Sequence, residues 1–202
     1  MTKTYPFYPK KVSMPEPTSE RRASRLSVDD WLSAAMDLLI EEGAGAVKIS
    51  RLCQRLRVTK GSFYWHFQDI GALMTALADH CREVQENAKQ TMSELSSLPP
   101  RDRIVTMGDL VSDPRRRSVE AAVRAWAETD KSLVDSVIGL DRRVFDIAHE
   151  AFLELGFDET GSHARATALV YVGIGYMSSR ERLGAPTDDD KRIFVEMLTR
   201  PL

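Results

Sequence analysis

Hydrophobic residues recur every three or four positions along most of the chain after residue 27. The first such stretch follows Ser27, has the acidic residues Asp29 and Asp30 near its start, and continues to Gly43. A serine followed by acidic residues favours a helix start, and an apolar stripe with this period is typical of an amphipathic helix. The pattern therefore predicts a first helix from Ser27 to Gly43.

The helical period continues toward the C-terminus, with Pro, Gly and Asp residues at the joints between segments. No convincing alternation of a β-strand interrupts it. After the first helix, the predicted segments are 48–56, 60–67, 70–95, 101–112, 115–128, 131–155, 159–182 and 188–199. The predicted fold class is therefore all-α.

The two short segments 48–56 and 60–67 are joined by a turn of three residues, Arg57-Val58-Thr59. A short helix, a tight turn and a second short helix form a helix-turn-helix, in which the second helix enters the major groove of DNA. The spacing thus predicts a DNA-binding unit, with Thr59 as the cap of its second helix.

The second of these helices, KGSFYWHF, concentrates aromatic residues in a chain that is only 7% aromatic. Its period places Phe63 and Phe67 on one face, toward the preceding helices. The opposite face carries Lys60, Gly61, Tyr64 and Trp65. Lys60 lies at the helix N-terminus, where a cation and free backbone amides favour binding of a DNA phosphate. Gly61 allows DNA to approach the backbone closely, and Tyr64 offers a ring for thymine methyl groups and a hydroxyl for phosphate.

From about Ser27 to His80 the chain resembles the DNA-binding domain of the tetracycline-repressor (TetR) family, whose pattern is I-A-x-x-x-G-V-S-x-G-T-L-Y-x-H-F-x-x-K-x-x-L. It stands here as Leu52-Cys53, then the ten residues from Val58 to Phe67, then Leu73, without a gap. From the resemblance and the exposed face together, we expect DNA contacts from Lys48, Ser50, Arg57, Thr59, Lys60, Gly61, Ser62, Tyr64, Trp65 and His66.

Two positions depart from the family pattern. Arg57 stands where the family has a turn glycine, and a left-handed backbone there would cost about 1 kcal/mol. The arginine either adds a phosphate contact or is a tolerated solvent residue. Ile70 stands where the family commonly has a phosphate-binding lysine, so that affinity would depend more on Arg51, Arg55 or the N-terminal arm.

The predicted arm, residues 1–26, holds four of the nine prolines and several basic residues without a helical period, which predicts disorder. It either lies along DNA or is an inert tail. Lys and Arg outnumber Asp and Glu in the first 60 residues, and the reverse holds for the rest. This asymmetry suggests a basic end that meets a polyanion and an acidic body.

The resemblance implies a division into a helix-turn-helix domain, 27–70, and a domain for ligand binding and dimerisation, 71–202. The expected effector is a small apolar or amphipathic compound. Large side chains that either line its pocket or belong to an ordinary core are Met107, Trp126, Phe145, Phe152 and Tyr171. The homodimer interface is expected on the last two helices, with Ala164, Ala168, Val172, Gly173, Tyr176, Phe194 and Leu198 as candidates.

No motif for a catalytic nucleophile, an acid/base pair or a nucleotide fingerprint is recognised, so neither a catalytic role nor a cofactor is predicted. The histidines lack metal-binding spacing, and the acids at 188–190 fit a helix cap better than a metal site. Cys53 and Cys81 are interpreted as reduced thiols in a cytoplasmic protein. The apolar runs are too short to predict a membrane span.

The leading hypothesis is a homodimeric, ligand-responsive transcriptional repressor that binds a pseudo-palindromic DNA operator. In this hypothesis the ligand tilts the helix predicted at 70–95 and so changes the separation of the two recognition helices. The alternative is a small all-α binding protein or enzyme that keeps the pocket and has lost DNA recognition, which Arg57 and Ile70 would be consistent with.

Overall fold

A computed structural model describes residues 26–178 and 186–200, and within these residues the chain forms nine α-helices and no β-strand. The helices are α1 Val28–Glu42, α2 Ile49–Leu56, α3 Lys60–Tyr64, α4 Ile70–Glu94, α5 Pro100–Ser112, α6 Pro114–Ala127, α7 Val134–Glu154, α8 Glu159–Ser178 and α9 Asp188–Thr199. The prediction of an all-α fold is confirmed. The predicted arm falls almost wholly outside the described residues, as does the end of the segment predicted at 159–182.

The start of α1 is fixed by the residues that the sequence indicated. The Asp30 amide donates to the Ser27 hydroxyl at 3.2 Å, and the Ser27 amide donates to the Asp30 carboxylate at 2.7 Å. This reciprocal pair satisfies two amides that a helix end leaves without partners. At the other end Gly43 has a φ of 85°, a backbone that glycine adopts at low cost, and the chain leaves the helix there.

The main difference from the predicted boundaries is in the second helix of the helix-turn-helix. The segment predicted at 60–67 is helical only from Lys60 to Tyr64. The amides of His66 and Phe67 both donate to the Phe63 carbonyl, at 2.9 and 3.0 Å, which closes the last turn more tightly than a continuing helix would. The chain can then turn before Asp69, whose side chain caps α4 by accepting from the Ala72 amide at 2.8 Å.

The buried side chains form two clusters. The first core joins α1, α2, α3, the first half of α4 and one face of α6, so it crosses the boundary predicted at residue 70. Its large members are Trp31, Leu38, Leu39, Leu52, Phe63, Leu73, Leu77, Val123, Trp126 and Leu133. The helix-turn-helix is thus packed directly on the C-terminal half of the molecule.

The second core lies between the far half of α4 and the helices α5, α7, α8 and α9. Its large members are Met92, Leu95, Ile104, Met107, Leu110, Leu140, Ile147, Phe152, Val195 and Leu198. Helix α7 is the centre of this half, because it packs on both α4 and α8 as well as on α5.

The two cysteines are buried thiols of the first core. Burial raises the pKa of Cys81 to about 12, and it also raises the pKa of Cys53. Neither is a reactive thiolate at neutral pH. None of the described helices is both long and apolar enough to cross a membrane.

Candidate nucleic-acid interface and ligand cavity

The turn between α2 and α3 depends on one unusual residue. Arg57 has φ 57° and ψ 43°, and it is the only non-glycine residue of the described chain with a positive φ. The Val58 amide, which follows it, donates to the Cys53 carbonyl at 3.0 Å, so the left-handed residue closes the C-terminus of α2. Arg57 thus keeps the left-handed conformation of the family's turn glycine, so the turn is not rearranged, and its side chain is exposed.

The inner face of α3 is anchored by aromatic packing. Phe63 is fully buried and meets Trp31 of α1 edge to face, with ring centroids 5.3 Å apart. Phe67 is also buried, and its ring centroid lies 5.6 Å from that of Phe63. The inward orientation expected for Phe63 and Phe67 is confirmed. Because aromatic rings in these arrangements add specific geometry to apolar burial, α3 is held in a defined orientation on α1.

The outer face of α3 points to solvent. Tyr64 is 57% exposed and Trp65 76% exposed, unusually high for large aromatic side chains in a chain with a well-filled first core. Lys60 and Gly61 are exposed on the same face, and a Cβ built on Gly61 would meet only the Thr59 hydroxyl, at 3.6 Å. Packing within the described part of the chain therefore does not require glycine at position 61, which leaves space beside it.

Several predicted DNA-contacting residues come together in space. A shallow groove of about 490 Å³ is lined by both Lys48 and Ser50 from the start of α2 and by Lys60 and Tyr64 from α3, with Ile70 at its edge. Of the other predicted residues, Arg57 and Trp65 are exposed outside this groove lining, as are Thr59 and Gly61, whereas Ser62 and His66 are half-buried. His66 lies beside Trp31, with ring centroids 6.2 Å apart.

Arg51 and Arg55, the alternative phosphate anchors, have partners within the chain. Arg51 donates two hydrogen bonds to Glu42, at 2.6 and 2.5 Å. Arg55 pairs with Glu41, and it also lies 3.5 Å from Asp37. The hydrogen bonds from Arg51 lower the pKa of Glu42. Both arginines therefore tie α2 to α1, which sequence patterning alone did not indicate.

A cavity of about 740 Å³ lies among the far half of α4 and the helices α5, α6, α7, α8 and α9. Its apolar walls include Met92, Ile104, Met107, Leu110, Leu140, Val144, Leu169, Ile174, Phe194 and Val195. Cavities of this volume accommodate drug-sized molecules, and a mostly apolar lining with a few polar groups is typical of small-molecule sites.

Polar groups enter this cavity from several helices, and one face of α6 provides four of them. Arg124 donates to both carboxylate oxygens of Asp141 of α7, at 2.9 and 2.5 Å. Burial lowers the pKa of the Arg124 guanidinium, but the bonds to Asp141 outweigh this and leave that pKa raised. Glu120 lines the cavity one turn earlier on α6. Arg117 donates to the Tyr176 hydroxyl of α8 at 3.2 Å, which closes another part of the wall.

The structure separates the five side chains that were candidates for the pocket. Met107 lines the cavity, but the other four candidates do not. Trp126 belongs to the first core, and Phe152 is fully buried in the second. Phe145 stacks on His149 of its own helix, and Tyr171 is 69% exposed on α8. The polar cavity residues were missed, although charges four residues apart on a largely buried helix would have indicated them.

Helices α8 and α9 expose apolar side chains on the outside of the described chain. The largest are Tyr171 and Val172 on α8 and Ile193 and Met197 on α9. Among the residues expected at a dimer interface, Ala164 and Val172 are exposed, and Ala168, Gly173, Tyr176 and Phe194 are half-buried. Leu198 is instead buried in the second core, where it packs within one protomer. Large apolar side chains exposed in this number on two helices favour a protein contact.

Comparison with known proteins identifies the N-terminal part. Residues 32–77 match the model of "Bacterial regulatory proteins, tetR family". Over 56 residues the chain is 36% identical to the tetracycline repressor protein class E of Escherichia coli and 38% identical to the class A protein from transposon 1721. Each alignment covers 28% of this chain and 26% of the relative, so the chain matches about a quarter of the length of these curated relatives.

Solved structures resemble nearly the whole fold. A protein from Saccharomonospora viridis, solved in complex with choline, has a TM-score of 0.61 at 14% identity, over 85% of this chain and 94% of that one. The reduced form of E. coli NemR has a TM-score of 0.59 at 16% identity, over 85% and 95%. At such identities the likeness concerns the fold. Residues 32–77 therefore resemble the tetR family of bacterial regulatory proteins in sequence, and the chain resembles these solved structures in fold.

Proposed function

We propose that this protein is a transcriptional regulator that binds double-stranded DNA through α2 and α3 and represses transcription from a pseudo-palindromic operator. The observation that carries the proposal is the two-sided construction of α3. Phe63 anchors one face in the first core, while Lys60 and Tyr64 on the other face line an open groove. Such a helix is rigid on the inside and free to enter a major groove on the outside.

The proposed DNA contacts divide into two kinds. Lys48 and Lys60 lie at the starts of α2 and α3, where cations and free backbone amides favour phosphate. Tyr64 and Gly61 are placed to approach base edges, and Trp65 lies at the border of this surface. We include Ser50, Arg57, Thr59, Ser62 and His66 in the proposed interface. Arg57 takes part as an exposed cation at the turn.

We propose that two copies of the chain bind the operator together. The exposed apolar surface of α8 and α9, which includes Val172, Ile193 and Met197, supports a homodimer in which these helices pack against their counterparts. A two-fold dimer presents two recognition helices to half-sites about 34 Å apart, or a multiple of that spacing, which is why the proposed operator is pseudo-palindromic.

The cavity is the proposed site of a small apolar or amphipathic effector, and the proposed role is regulatory rather than catalytic. Helix α4 supports this proposal, because it starts at Ile70 just after the recognition helix and reaches Met92 at the cavity. Its 25 residues span about 37 Å, so a small tilt at one end moves the other by several ångströms. We keep 27–70 as the proposed DNA-binding domain and 71–202 as the proposed ligand-binding and dimerisation domain.

A DNA titration tests this function. The full chain is titrated at several salt concentrations with two DNA fragments. One is a fragment selected for binding from a random DNA pool, and the other is a random fragment of the same length. We expect affinity to fall steeply with salt, and we expect Lys60→Ala to reduce the salt slope by about one phosphate contact. Tyr64→Ala should weaken the preference for the operator by about 1–3 kcal/mol. Lys131→Ala, which removes an exposed lysine before α7, is the matched control.

The alternative function, a pocket protein or enzyme without DNA recognition, predicts a different result in the same titration. In that case no salt-dependent binding occurs even at low ionic strength, and Lys60→Ala behaves like Lys131→Ala. That outcome would remove the regulator proposal.

A further inference from the structure

The cavity wall contains a buried polar network of four side chains, which we call the inner network: Gln85 of α4, Glu120 and Arg124 of α6, and Asp141 of α7. Gln85 is fully buried and Glu120 is 3% exposed. Glu120, Arg124 and Asp141 all line the cavity, whereas Gln85 supports Glu120 from behind by donating to its carboxylate at 3.0 Å.

Some polar atoms of the inner network have hydrogen-bond partners within the described chain, and others do not. The Gln85 amide donates to Glu120 Oε2, and Arg124 Nε lies 4.0 Å from the same oxygen, which is beyond hydrogen-bonding distance. Glu120 Oε1, Gln85 Oε1 and Arg124 Nε are buried and have no hydrogen-bond partner among the described residues. Two of these three atoms are acceptors, and one of the acceptors belongs to a carboxylate.

Two cationic side chains around this carboxylate are already engaged. Both terminal nitrogens of Arg124 donate to Asp141, at 2.9 and 2.5 Å, so that pair is closed. Arg117 donates to the Tyr176 hydroxyl, and its guanidinium also lies over the Tyr176 ring, 5.2 Å from the centroid. Among the described residues, the neutral amide of Gln85 is the group that donates a hydrogen bond to Glu120.

A buried acceptor without a donor is costly, and a buried carboxylate more so. A ligand that brings N–H donors and a positive charge to Glu120 removes this cost and forms charge-assisted hydrogen bonds in a site shielded from water. The last torsion of a glutamate is soft, so a small rotation turns a carboxylate oxygen toward the cavity. The rest of the lining is mostly apolar, with Met107, Leu140 and Val144 among its members.

From this arrangement we infer the chemical class of the effector: a small molecule with an apolar body and a protonated primary or secondary amino group, whose N–H groups donate to Glu120. The inference rests on the proposed function, because it assigns a ligand to the cavity of that regulator. The inference goes beyond the proposed function by naming the head group of the ligand and the residue that selects this head group.

A matched set of probes tests the inference on the full-length protein. The probes are 4-phenylbutylamine, 4-phenylbutanol, 4-phenylbutanoate and the N,N,N-trimethyl derivative of the amine, and binding is measured by calorimetry at pH 7. An alkylamine is protonated at this pH. We expect the amine to bind at least about tenfold more tightly than the alcohol and the carboxylate. We expect the trimethyl derivative to bind about tenfold more weakly than the amine, because it has charge but no N–H donor.

Glu120→Gln is the decisive variant. It keeps the size of the side chain and removes the charge, so the preference for the amine over the alcohol should shrink to within about threefold. Glu128→Gln removes an exposed carboxylate at the end of the same helix and should leave the preference unchanged. Circular dichroism melts of both variants show whether the fold is intact, and the wild-type probe series decides the matter if Glu120→Gln does not fold.

Several results would overturn the inference: a carboxylate that binds more tightly than the amine, a trimethyl derivative equal to the amine, an amine preference that survives in folded Glu120→Gln, or no binding of any probe. Titration of the same preparation with DNA at several salt concentrations is independent of these readouts. If DNA binding is salt-dependent but the amine preference is absent, only the ligand class is wrong. If the amine preference is present without DNA binding, the regulator proposal fails instead.

Discussion

The two cores of this protein are built differently. The first core packs Trp31, Phe63 and aliphatic side chains to near-complete burial around the helix-turn-helix. The second core adjoins a cavity of about 740 Å³, and the wall of that cavity contains Glu120 and an Arg124–Asp141 pair. One region is filled by the chain itself, whereas the other leaves space and hydrogen-bonding groups for another molecule.

The difference indicates which properties each region needs. The proposed DNA recognition requires a surface held at fixed geometry, and close packing behind α3 provides it because well-packed interiors transmit strain rather than absorb it. A ligand site requires volume and local polarity, both of which reduce the stability that the surrounding residues could otherwise provide. The following predictions test this contrast, from the largest expected effect to the smallest.

Loss of the aromatic anchor should have the largest effect. Phe63→Ala removes a fully buried ring that contacts Trp31 and Phe67, and we expect it to lower the free energy of unfolding by about 3–5 kcal/mol. Chemical denaturation measures the change. Lys60→Ala on the exposed face of α3 should alter stability by less than about 0.5 kcal/mol. Equal effects of the two substitutions would contradict the two-sided description of the helix.

Enlarging a side chain should have opposite effects in the two regions. Ala35→Leu overfills the first core, where Ala35 is fully buried, and should cost about 1–3 kcal/mol. Gly108→Leu extends into the cavity from α5, where an added Cβ meets no atom within 4 Å, and should stabilise the helix by about 0.5–1 kcal/mol. Thermal denaturation compares them. Destabilisation by Gly108→Leu equal to that by Ala35→Leu would mean that the cavity is not available space.

Removing the strain of the helix-turn-helix should increase stability by a smaller amount. Arg57→Gly relieves a left-handed residue, and we expect a gain of up to about 1 kcal/mol after the greater freedom of glycine in the unfolded chain is included. Arg57→Lys keeps both the strain and the charge, so its unfolding midpoint should not change. A loss of stability in Arg57→Gly would show that the arginine side chain contributes more than its backbone costs.

The smallest effect concerns the cap of α1 at low pH. The hydrogen bonds from the Ser27 amide and hydroxyl hold the pKa of Asp30 below its ordinary value of 3.8. Its stabilisation is therefore present above the unfolded-state pKa and is lost as the pH falls through the folded-state pKa. Between pH 5 and pH 2, the free energy of unfolding of the wild type should fall further than that of Asp30→Asn. The difference should be below about 1 kcal/mol, because the carboxylate is largely exposed.

Asp29→Asn is the control for the cap, since Asp29 is exposed in the same helical turn and makes no bond of the cap. Equilibrium unfolding of the three proteins across this pH range gives the comparison. A pH dependence that is identical in wild type and Asp30→Asn would show that the carboxylate does not stabilise the start of α1.

The helix-turn-helix could be predicted from the sequence because the residues that determine it are close together in the chain. A cap at Ser27, the three-residue turn containing Arg57, and the spacing of Phe63 and Phe67 all lie within a few helical turns of one another. Residues three and four positions apart share a helix face, so burial and exposure on α3 follow directly from the pattern. The short end of α3 was missed, because it depends on two amides that share the Phe63 carbonyl.

The cavity could not be predicted in the same way. Its walls come from six helices, and residues far apart in sequence meet there, as Arg117 and Tyr176 do. A large aromatic side chain can line a pocket or fill a core, and the sequence pattern is the same in both cases. Trp126 and Phe152 were therefore pocket candidates, but both are core residues. The pairing of Arg51 with Glu42 was equally hidden, since an exposed arginine can face DNA or a neighbouring helix with the same sequence pattern.

Helix α6 carries both kinds of position side by side, which has a practical consequence for engineering. Residues 119, 122, 123 and 126 belong to the first core, and residues 116, 117, 120 and 124 line the cavity. A combinatorial library restricted to the second set should change which compound the cavity binds, as proposed for an effector, while sparing the packing behind α3. Random mutagenesis of the whole helix would instead mix altered ligand choice with loss of fold, and most of its inactive clones would be uninformative.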